Sequence, residues 1–525
     1  MSKAYTESRG EKLKKKGRKG LFRLLFSRTG LVAVVLLLNI ALLVALVLRF
    51  RDYMVEYVSA ATVLSVVLMM LLISSRANAS VKVTWLVVFT VLPVFGLVLY
   101  VYTQSDLGHR ALRDRIHELM DKTRSKLPQT DAASKLQKTD AGAAGLGRYL
   151  WRCGFPTYEN CDVTYYTSGE EKFAAMLEEL EKAREFIFLE YFIVEEGEMW
   201  NAVLEVLERK AREGVDVRVL YDDFGCIQTL PGNYYKQLRR WGIEARVFNP
   251  FLPVLSGRLN NRNHRKLMII DGKVGFTGGI NLADEYINRK ERFGHWKDCA
   301  VCLQGEGVWA MTVMFLAMWD SQSGEQEDIA SFRPEYAYRL AGGEGFVHPF
   351  SDTPLDQEDV AERLLLSMFH KACRSIYIMT PYLILDDQMT DALLTAAKSG
   401  IDVRIITPHI PDKWYVHAVT RAYYELLTEN GVRIYEYTPG FIHSKVYLVD
   451  DRLAMTGSVN LDFRSLYLHF ENAVYMFDTA CNAAIAEDFQ NTFPLCEEIT
   501  WRKSRNTNLL QRLLQTALRF LSPLM

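Results

Sequence analysis

Two short stretches of the chain carry the same three polar residue types at the same spacing. The first, "NHRKLMIID", places His264, Lys266 and Asp271 in an otherwise apolar run. The second, "IHSKVYLVD", supplies His443, Lys445 and Asp450. Side chains at positions i and i+2 of a strand share a face, so each His and its Lys point the same way. An imidazole beside an ammonium group suits acid–base or nucleophilic chemistry at an anionic group.

The two aspartates complete the candidate catalytic set, and two roles are open for them. Asp271 and Asp450 each follow the Lys by five residues, at the end of the strand. The dipeptide at 271–272, Asp-Gly, is a strong turn signal, so turn formation alone explains the residue. The other role is that of a hydrogen-bonding or orienting partner in the site.

A turn of small residues follows each strand, "TGGIN" at 277–281 and "TGSVN" at 456–460. Such a turn lets the backbone approach a ligand closely, and its amides can hold an anion. An acidic residue follows each turn, and a carboxylate beside an imidazole fixes its tautomer. The candidate substrate-binding residues are therefore Asn281, Asn460, Ser458, Glu285 and Glu471.

The motifs belong to a chain that repeats itself. From about residue 161, strand-like and helix-like segments alternate, which predicts an α/β fold. Four blocks recur in the same order about 185 residues apart, so two similar domains are implied. Two copies can bring two His, two Lys and two Asn together at a pseudo-twofold axis. That set suits a phosphodiester: the lysines hold its oxygens, one His attacks phosphorus and the other protonates the leaving alcohol, with no metal or other cofactor required.

The duplicated H-x-K-x-x-x-x-D with a downstream G-[GS]-x-N resembles the phospholipase D superfamily over roughly residues 161–500. The stretches "LEYFIV", "GGINLADEY" and "GSVNLDFRS" look like the bacterial cardiolipin synthase family. The resemblance implies two tandem α/β/α sandwich domains. It implies condensation of two phosphatidylglycerols into cardiolipin and glycerol, through a covalent phosphatidyl-histidine. It also implies that His264 is the nucleophile, that the lysines and asparagines bind phosphate, and that Glu285 and Glu471 orient the histidines.

Three other functions are open to a chain with these motifs. A membrane phospholipase D would pass the phosphatidyl group to water. A nuclease is disfavoured because the formal net charge is -1 and shows no excess of basic residues for nucleic acid. A non-catalytic membrane scaffold is disfavoured because both motifs are intact. The expected partners are phosphatidylglycerol, cardiolipin and the lipid bilayer; the oligomeric state stays open.

The N-terminal region predicts membrane insertion. Three hydrophobic runs cover Leu31 to Leu48, Tyr57 to Ile73 and Val83 to Tyr102. Runs of this length predict two to three transmembrane helices, and hence a multi-pass protein of the cell membrane. The basic residues before the first run favour a cytoplasmic N-terminus, whereas those after the third favour the opposite arrangement.

These observations predict five regions. They are the basic N-terminus with its transmembrane segments (1–105), a connector (106–160), two phospholipase D-like domains (161–345 and 346–500) and an amphipathic C-terminal helix (501–525). The leucine stripe of that helix fits either docking onto the core or an interfacial position on the membrane. His295 and His469 lack the motif spacing, so no role in the site is predicted for either.

Overall fold

The computed structural model describes residues 54–75, 77–91, 96–97, 99–100, 114, 118, 123, 125–250, 261–323, 327–334, 343–356, 358–506 and 508–524. Its first helices are α1 (Met54–Ser74) and α2 (Ala79–Val91). The hydrophobic run from Leu31 to Leu48 lies outside the described residues. Within them, no helix combines the length and the apolar character that crossing a membrane requires. The predicted transmembrane helices are therefore not shown.

Two helices of the predicted connector pack against the second half of the chain. They are α3 (Ala132–Thr139) and α4 (Ala141–Arg152). Asp140 ends the first helix and caps the second, because its carboxylate accepts a hydrogen bond from the Ala143 amide at 2.9 Å. Tyr158 then forms a bridge with Val347, so the connector is tied to the second half.

The first half forms a seven-stranded sheet in the order β1-β8-β6-β5-β2-β3-β4. Its strands are β1 (Asp162–Tyr166), β2 (Phe186–Tyr191), β3 (Asp216–Asp222), β4 (Glu244–Phe248), β5 (Lys266–Ile270), β6 (Val274–Gly278) and β8 (Ala300–Gln304). The helices of this half are α5 (Gly169–Lys182), α6 (Glu198–Arg212), α7 (Tyr234–Arg240) and α8 (Val308–Ser321). Strands β2, β3 and β4 are parallel, as helical crossovers require.

The second half forms an eight-stranded sheet in the order β17-β12-β11-β10-β14-β15-β16-β9. Its strands are β9 (Phe346–Asp352), β10 (Ser375–Met379), β11 (Asp402–Pro408), β12 (Arg433–Tyr437), β14 (Val446–Val449), β15 (Leu453–Gly457), β16 (Glu471–Phe477) and β17 (Cys496–Ile499). Its helices are α9 (Val360–Lys371), α10 (Asp387–Lys398), α11 (Trp414–Glu429), α12 (Phe463–Tyr467), α13 (Cys481–Thr492), α14 (Trp501–Ser504) and α15 (Leu509–Leu521).

The two sheets repeat one topology, which confirms the predicted pair of α/β domains. In each sheet three parallel strands continue into an antiparallel hairpin that carries the motif: β5-β6 in the first half, β14-β15 in the second. The hairpin strand β5 pairs with β2 just as β14 pairs with β10. The boundaries proposed at residues 160, 345 and 500 stay predictions.

Backbone pairing between the halves holds the two motifs near each other. Strand β7 (His295–Lys297) of the first half pairs in parallel with β13 (Gly440–Ile442) of the second. Asn263 forms a parallel bridge with Phe470. One apolar core also includes buried residues of both halves, among them Phe188 and Ile378. Each motif histidine therefore lies where strands from both halves meet.

Candidate active site

The structure places the motif residues at the ends of the hairpin strands, where they are buried with a narrow opening. Lys266 begins β5, and Lys445 immediately precedes β14. Both lysine side chains are fully buried, whereas His264 and His443 keep 8% and 7% of their surface exposed. Buried charged and titratable side chains require partners, and the partners found here come from both halves of the chain.

Each motif histidine is hydrogen-bonded through Nδ1 to a carboxylate of the other half. His264 Nδ1 lies 2.9 Å from Oε1 of Glu471, and His443 Nδ1 lies 2.7 Å from Oδ2 of Asp298. A carboxylate at Nδ1 selects the tautomer with its proton there and leaves Nε2 as the reactive atom. Neither Nε2 has a hydrogen-bond partner in the described part of the chain. The crossed pairs make both halves necessary to one site.

The backbone repeats this crossed arrangement. The His264 amide donates to the Phe470 carbonyl at 2.9 Å, and the His443 amide donates to the Lys297 carbonyl at 2.6 Å. Phe470 directly precedes Glu471, and Lys297 directly precedes Asp298. The same register on both sides makes Asp298 and Glu471 equivalent residues of the duplicated fold.

The two motif lysines are buried beside the histidines. Each ammonium donates to the carbonyl of its own histidine, Lys266 to His264 and Lys445 to His443. An ammonium has three donors, so two remain on each lysine. Burial lowers the pKa of Lys266 well below its ordinary value and that of Lys445 to about 8. A bound phosphodiester anion offsets these shifts, because it stabilises the charged ammonium.

The two histidines differ in their electrostatic surroundings. Burial, and then Lys445, lower the pKa of His443 to about 4, while the Asp298 carboxylate acts in the opposite direction. Burial, Lys266 and Lys445 all lower the pKa of His264 well below its ordinary value. Burial also raises the pKa of Glu471 to about 7. The Asp298 carboxylate therefore partly offsets the fall in the pKa of His443.

The structure corrects one acidic residue of the predicted set. Glu285 does not contact His443; its Oε1 accepts from the Arg292 guanidinium at 3.0 Å. Asp298 takes the expected position instead, at the start of the segment that leads into β8. A sequence signal for it exists: "DCAV" at 298–301 matches "ENAV" at 471–474, which aligns Asp298 with Glu471.

Gly279 and Ser458 explain how the two carboxylates fit at equivalent places. A Cβ on Gly279 would lie 2.1 Å from Oδ1 of Asp298, so only glycine leaves room for that carboxylate. In the second half Ser458 stands at this position, and its hydroxyl donates to Glu471. Ser458 is fully buried and engaged within the protein. Its predicted role as a phosphate ligand is replaced by that of holding Glu471 in place.

The two predicted asparagines differ. Asn281 uses both ends of its amide within the protein: Oδ1 accepts from the Ile193 amide at 3.0 Å, and Nδ2 donates to the Tyr286 hydroxyl at 2.7 Å. Asn460 is also buried, but its Oδ1 has no hydrogen-bond partner among the described residues. Its Nδ2 makes no hydrogen bond to the described residues either, so Asn460 is the asparagine whose donor group remains available to an anionic ligand.

The two aspartates of the motifs lie at the opposite end of their strands from the lysines. Each adopts a positive φ, 51° for Asp271 and 55° for Asp450. The Asp271 carboxylate accepts from the backbone amides of residues 184, 185 and 186, and that of Asp450 from residues 373, 374 and 375. Each aspartate follows its lysine by five residues, and five residues of extended strand span roughly 16 Å between the two Cα atoms. The structure thus places both aspartates in a turn and strand-pairing role, against the catalytic role predicted for them.

His469, for which no role was predicted, lies inside the site. Its ring centroid is 5.4 Å from that of His264, and the side chain is 9% exposed. Donor atoms of His264, His469 and Glu471 lie within 4.8 Å of one another, close enough to share a metal ion. The ammonium groups of Lys266 and Lys445 act on these same residues and repel a cation, so the pocket favours an anion.

Comparison with known proteins agrees with this geometry. The family model described as "Cardiolipin synthase, PLD-like domain" matches residues 176–293 and 365–493, once in each half. A cardiolipin synthase of Alkalihalophilus pseudofirmus is 34% identical over 90% of this chain and 95% of its own. One of Geobacillus thermodenitrificans is 40% identical over 68% of this chain and 71% of its own.

A solved structure shows the same fold. The phosphatidylserine synthase of Haemophilus influenzae superposes with a TM-score of 0.53, covering 69% of this chain and 93% of its own, at 14% identity. The sequence relatives extend over nearly the whole chain, and the family model matches both halves that supply the crossed histidines. The chain therefore belongs to the cardiolipin synthase family of phospholipase D-like proteins.

Proposed function

We propose that this protein is a cardiolipin synthase, which transfers a phosphatidyl group from one phosphatidylglycerol to another. The observation that carries the proposal is the pair of crossed histidine–carboxylate contacts, which bring two histidines and two lysines close enough to act on one another's charge. An in-line displacement at phosphorus requires a nucleophile on one side and a proton donor on the other. The family relatives supply the lipid substrate class.

In the first step, His264 Nε2 attacks the phosphorus of a bound phosphatidylglycerol. A nitrogen–phosphorus bond forms as the bond from phosphorus to the headgroup glycerol oxygen breaks. Protonated His443 gives its Nε2 proton to that oxygen, and glycerol leaves. The negative charge of the bound phosphodiester raises the pKa of His443 from its low value in the free site, which supplies the proton donor.

In the second step, a headgroup hydroxyl of another phosphatidylglycerol enters the place of the departed glycerol. His443 Nε2 takes the hydroxyl proton as the oxygen attacks phosphorus, and the nitrogen–phosphorus bond breaks. Cardiolipin is released, and both histidines return to their starting states. Lys266, Lys445 and Asn460 hold the phosphoryl oxygens through both steps.

The direct test is incubation of the purified protein with phosphatidylglycerol, followed by analysis of lipids and of free glycerol. We expect cardiolipin and glycerol in equal amounts, since each turnover makes one of each. Phosphatidic acid as the main lipid product would instead establish hydrolysis. No conversion of phosphatidylglycerol by folded protein would favour the scaffold.

The proposal includes contact with the bilayer through the C-terminal helix α15. Leu509, Leu510 and Leu513 on this helix are 74%, 76% and 59% exposed. The opposite face packs onto the protein, where Arg519 lies over the Tyr423 ring at 4.3 Å. A helix that turns its polar face inward and leaves its leucines exposed fits an interfacial membrane position, and not docking of the leucine stripe onto the core.

The N-terminal segment continues this apolar surface. Thr84 of α2 donates to the carbonyl of Phe520 at the end of α15, at 2.9 Å. Helix α1 exposes further apolar residues, among them Met70 and Leu71. We propose that residues 1–105 anchor the chain in the cell membrane as a multi-pass segment and that α15 lies in the plane of the same surface. The hydrophobic runs of the N-terminal sequence support the anchor.

Charge on the leucine face should separate membrane contact from chemistry. We expect Leu510→Asp/Leu513→Asp to lower activity toward phosphatidylglycerol vesicles by about tenfold or more, because two buried leucines are lost from the interface. Activity toward a short-chain phosphatidylglycerol below its critical micelle concentration should stay unchanged. Thr395→Asp, at an exposed position of helix α10, serves as the control. Equal losses on both substrates, or no loss on vesicles, would argue against the interfacial helix.

A further inference from the structure

His469 is a buried histidine whose two ring nitrogens both lack a hydrogen-bond partner in the described part of the chain. The nearest polar atom in ion-pair range is Oε1 of Glu471, 3.8 Å from Nδ1, which is beyond hydrogen-bonding distance. Burying polar atoms without partners costs free energy, so such a residue requires an explanation.

The duplicated fold shows what its equivalent in the other half is. Glu471 and Asp298 are equivalent, so His469, two residues before Glu471, corresponds to Trp296, two residues before Asp298. The Trp296 ring lies 5.3 Å from the His443 ring, just as the His469 ring lies 5.4 Å from that of His264. The fold therefore accommodates a large aromatic ring at this position. Packing alone does not explain why the residue in the second half is a histidine.

Hydrogen bonds of the adjacent residue fix the backbone position of His469. Phe470, the next residue, donates its amide to the Arg262 carbonyl at 2.9 Å and accepts from the His264 amide. The backbone directly after His469 is thus bonded to the residues on both sides of Asn263. An imidazole held this firmly beside the nucleophile can serve as a preorganised hydrogen-bond donor.

The surroundings of His469 select the chemistry of its partner. Burial, His264, Arg464 and Lys266 lower its pKa well below the ordinary value, so the ring is neutral with one donor and one acceptor. The positive charges of Lys266 and Arg464 act on His469, and they attract an anion to the space beside its ring. Oxygens of a phosphodiester accept hydrogen bonds, and they gain charge as the nucleophile attacks.

We propose that His469 donates a hydrogen bond to a phosphoryl oxygen of the bound phosphodiester, on the His264 side of phosphorus. Together with Lys266, Lys445 and Asn460 it completes the set of donors around the reacting phosphate. At the equivalent place beside His443 stands Trp296, whose indole Nε1–H is a donor that is also buried without a hydrogen-bond partner among the described residues. This inference rests on the proposed phosphatidyl transfer and names an additional residue that touches the reacting group.

The test compares His469→Phe with His469→Asn. Phenylalanine keeps a ring but removes both nitrogens, whereas asparagine keeps one donor and one acceptor. We expect His469→Phe to lose activity by about thirtyfold or more, comparable to removing one oxyanion donor. Its melting temperature should stay the same or rise, since unpaired buried polar atoms are removed. His469→Asn should retain activity within fivefold of the unaltered protein.

Orthovanadate gives a readout that does not depend on turnover, because it mimics a five-coordinate phosphoryl group. We expect its stabilisation of the unaltered protein against thermal unfolding to weaken by at least tenfold in apparent affinity for His469→Phe and to persist for His469→Asn. His348→Phe is the matched control. This fully buried histidine bonds Thr157 at 2.9 Å outside the site, so the variant should lose stability and keep its vanadate affinity.

The outcomes separate this inference from the proposed function. Unchanged vanadate affinity and activity in His469→Phe, or an asparagine variant as impaired as the phenylalanine one, would overturn the role of His469. Absence of cardiolipin from the unaltered protein would overturn the proposed function alone, because vanadate binding reports on His469 without any lipid product.

Discussion

His264→Ala and His443→Ala should each reduce cardiolipin formation by at least about 10⁴-fold, because each variant removes one of two groups that act as a unit. The double variant should be no worse than either single one, since the reaction that remains uses neither histidine. The measurement is initial rates on phosphatidylglycerol vesicles with protein shown to be folded by its thermal unfolding transition.

His370→Ala is the control for this pair. His370 is an exposed residue near the end of α9, and its Nδ1 contacts only the Leu366 carbonyl of its own helix. Its loss should leave the rate unchanged. A single histidine variant that keeps more than a few per cent of activity, or strictly additive losses in the double variant, would contradict the paired mechanism.

Asp298→Asn should cause the second-largest loss, about 10² to 10⁴-fold in kcat, although Asp298 touches no substrate. The carboxylate accepts from His443 Nδ1 at 2.7 Å, and an amide at that place can donate to Nδ1 and select the wrong tautomer. Asp298 also raises the pKa of His443, so the variant lowers that pKa further. Residual activity should therefore shift toward lower pH, where His443 can still be protonated.

Glu285→Gln provides a matched comparison for Asp298→Asn. Both residues are buried acids of the first half, and Glu285 has the spacing that the sequence favoured. Glu285 pairs with Arg292 and does not contact His443, so its loss should leave kcat within a few fold and leave the pH profile unshifted. A larger loss for Glu285→Gln than for Asp298→Asn would show that the crossed pairs do not orient the histidines.

The sequence was sufficient for the parts of the site that depend on strand periodicity. His264 and Lys266 occupy positions i and i+2, and the structure buries both close enough for Lys266 to lower the pKa of His264. The repeated blocks predicted two similar α/β domains, and the two sheets confirm them. These features follow from local spacing, which a strand converts directly into geometry.

The acidic partners were harder to predict because they come from the opposite half of the chain. Asp298 follows His264 by 34 residues, whereas Glu471 follows His443 by 28, so no common spacing identifies the pair. Asp298 is placed by the pairing of β7 with β13, and Glu471 by the bridge between Asn263 and Phe470. Glu285 has the expected residue type near the turn. Its carboxylate, however, accepts a hydrogen bond from the Arg292 guanidinium and not from a histidine.

The motif aspartates and His469 show two opposite errors. Asp271 has the residue type of a catalytic group, but the strand carries it away from the site to three backbone amides. His469 has no motif spacing, yet the bridge between its neighbour Phe470 and Asn263 of the other half brings it beside His264. The spacing of residues within one strand predicts which side chains share a face of that strand. Contacts between distant segments depend on how the chain folds, so spacing alone does not predict them.

The central claim is that His264 carries the phosphatidyl group while His443 moves the proton. It is tested most directly by trapping the intermediate on the His443→Ala variant with a phosphatidyl ester of p-nitrophenol, a leaving group that needs no protonation. Without His443, the second step lacks its base and the intermediate should accumulate. After an alkaline quench, which preserves the nitrogen–phosphorus bond, we predict a phosphatidyl adduct mapped to His264 by mass spectrometry. An adduct on another residue, or p-nitrophenol release with His264 unmodified at every time point, would contradict the mechanism.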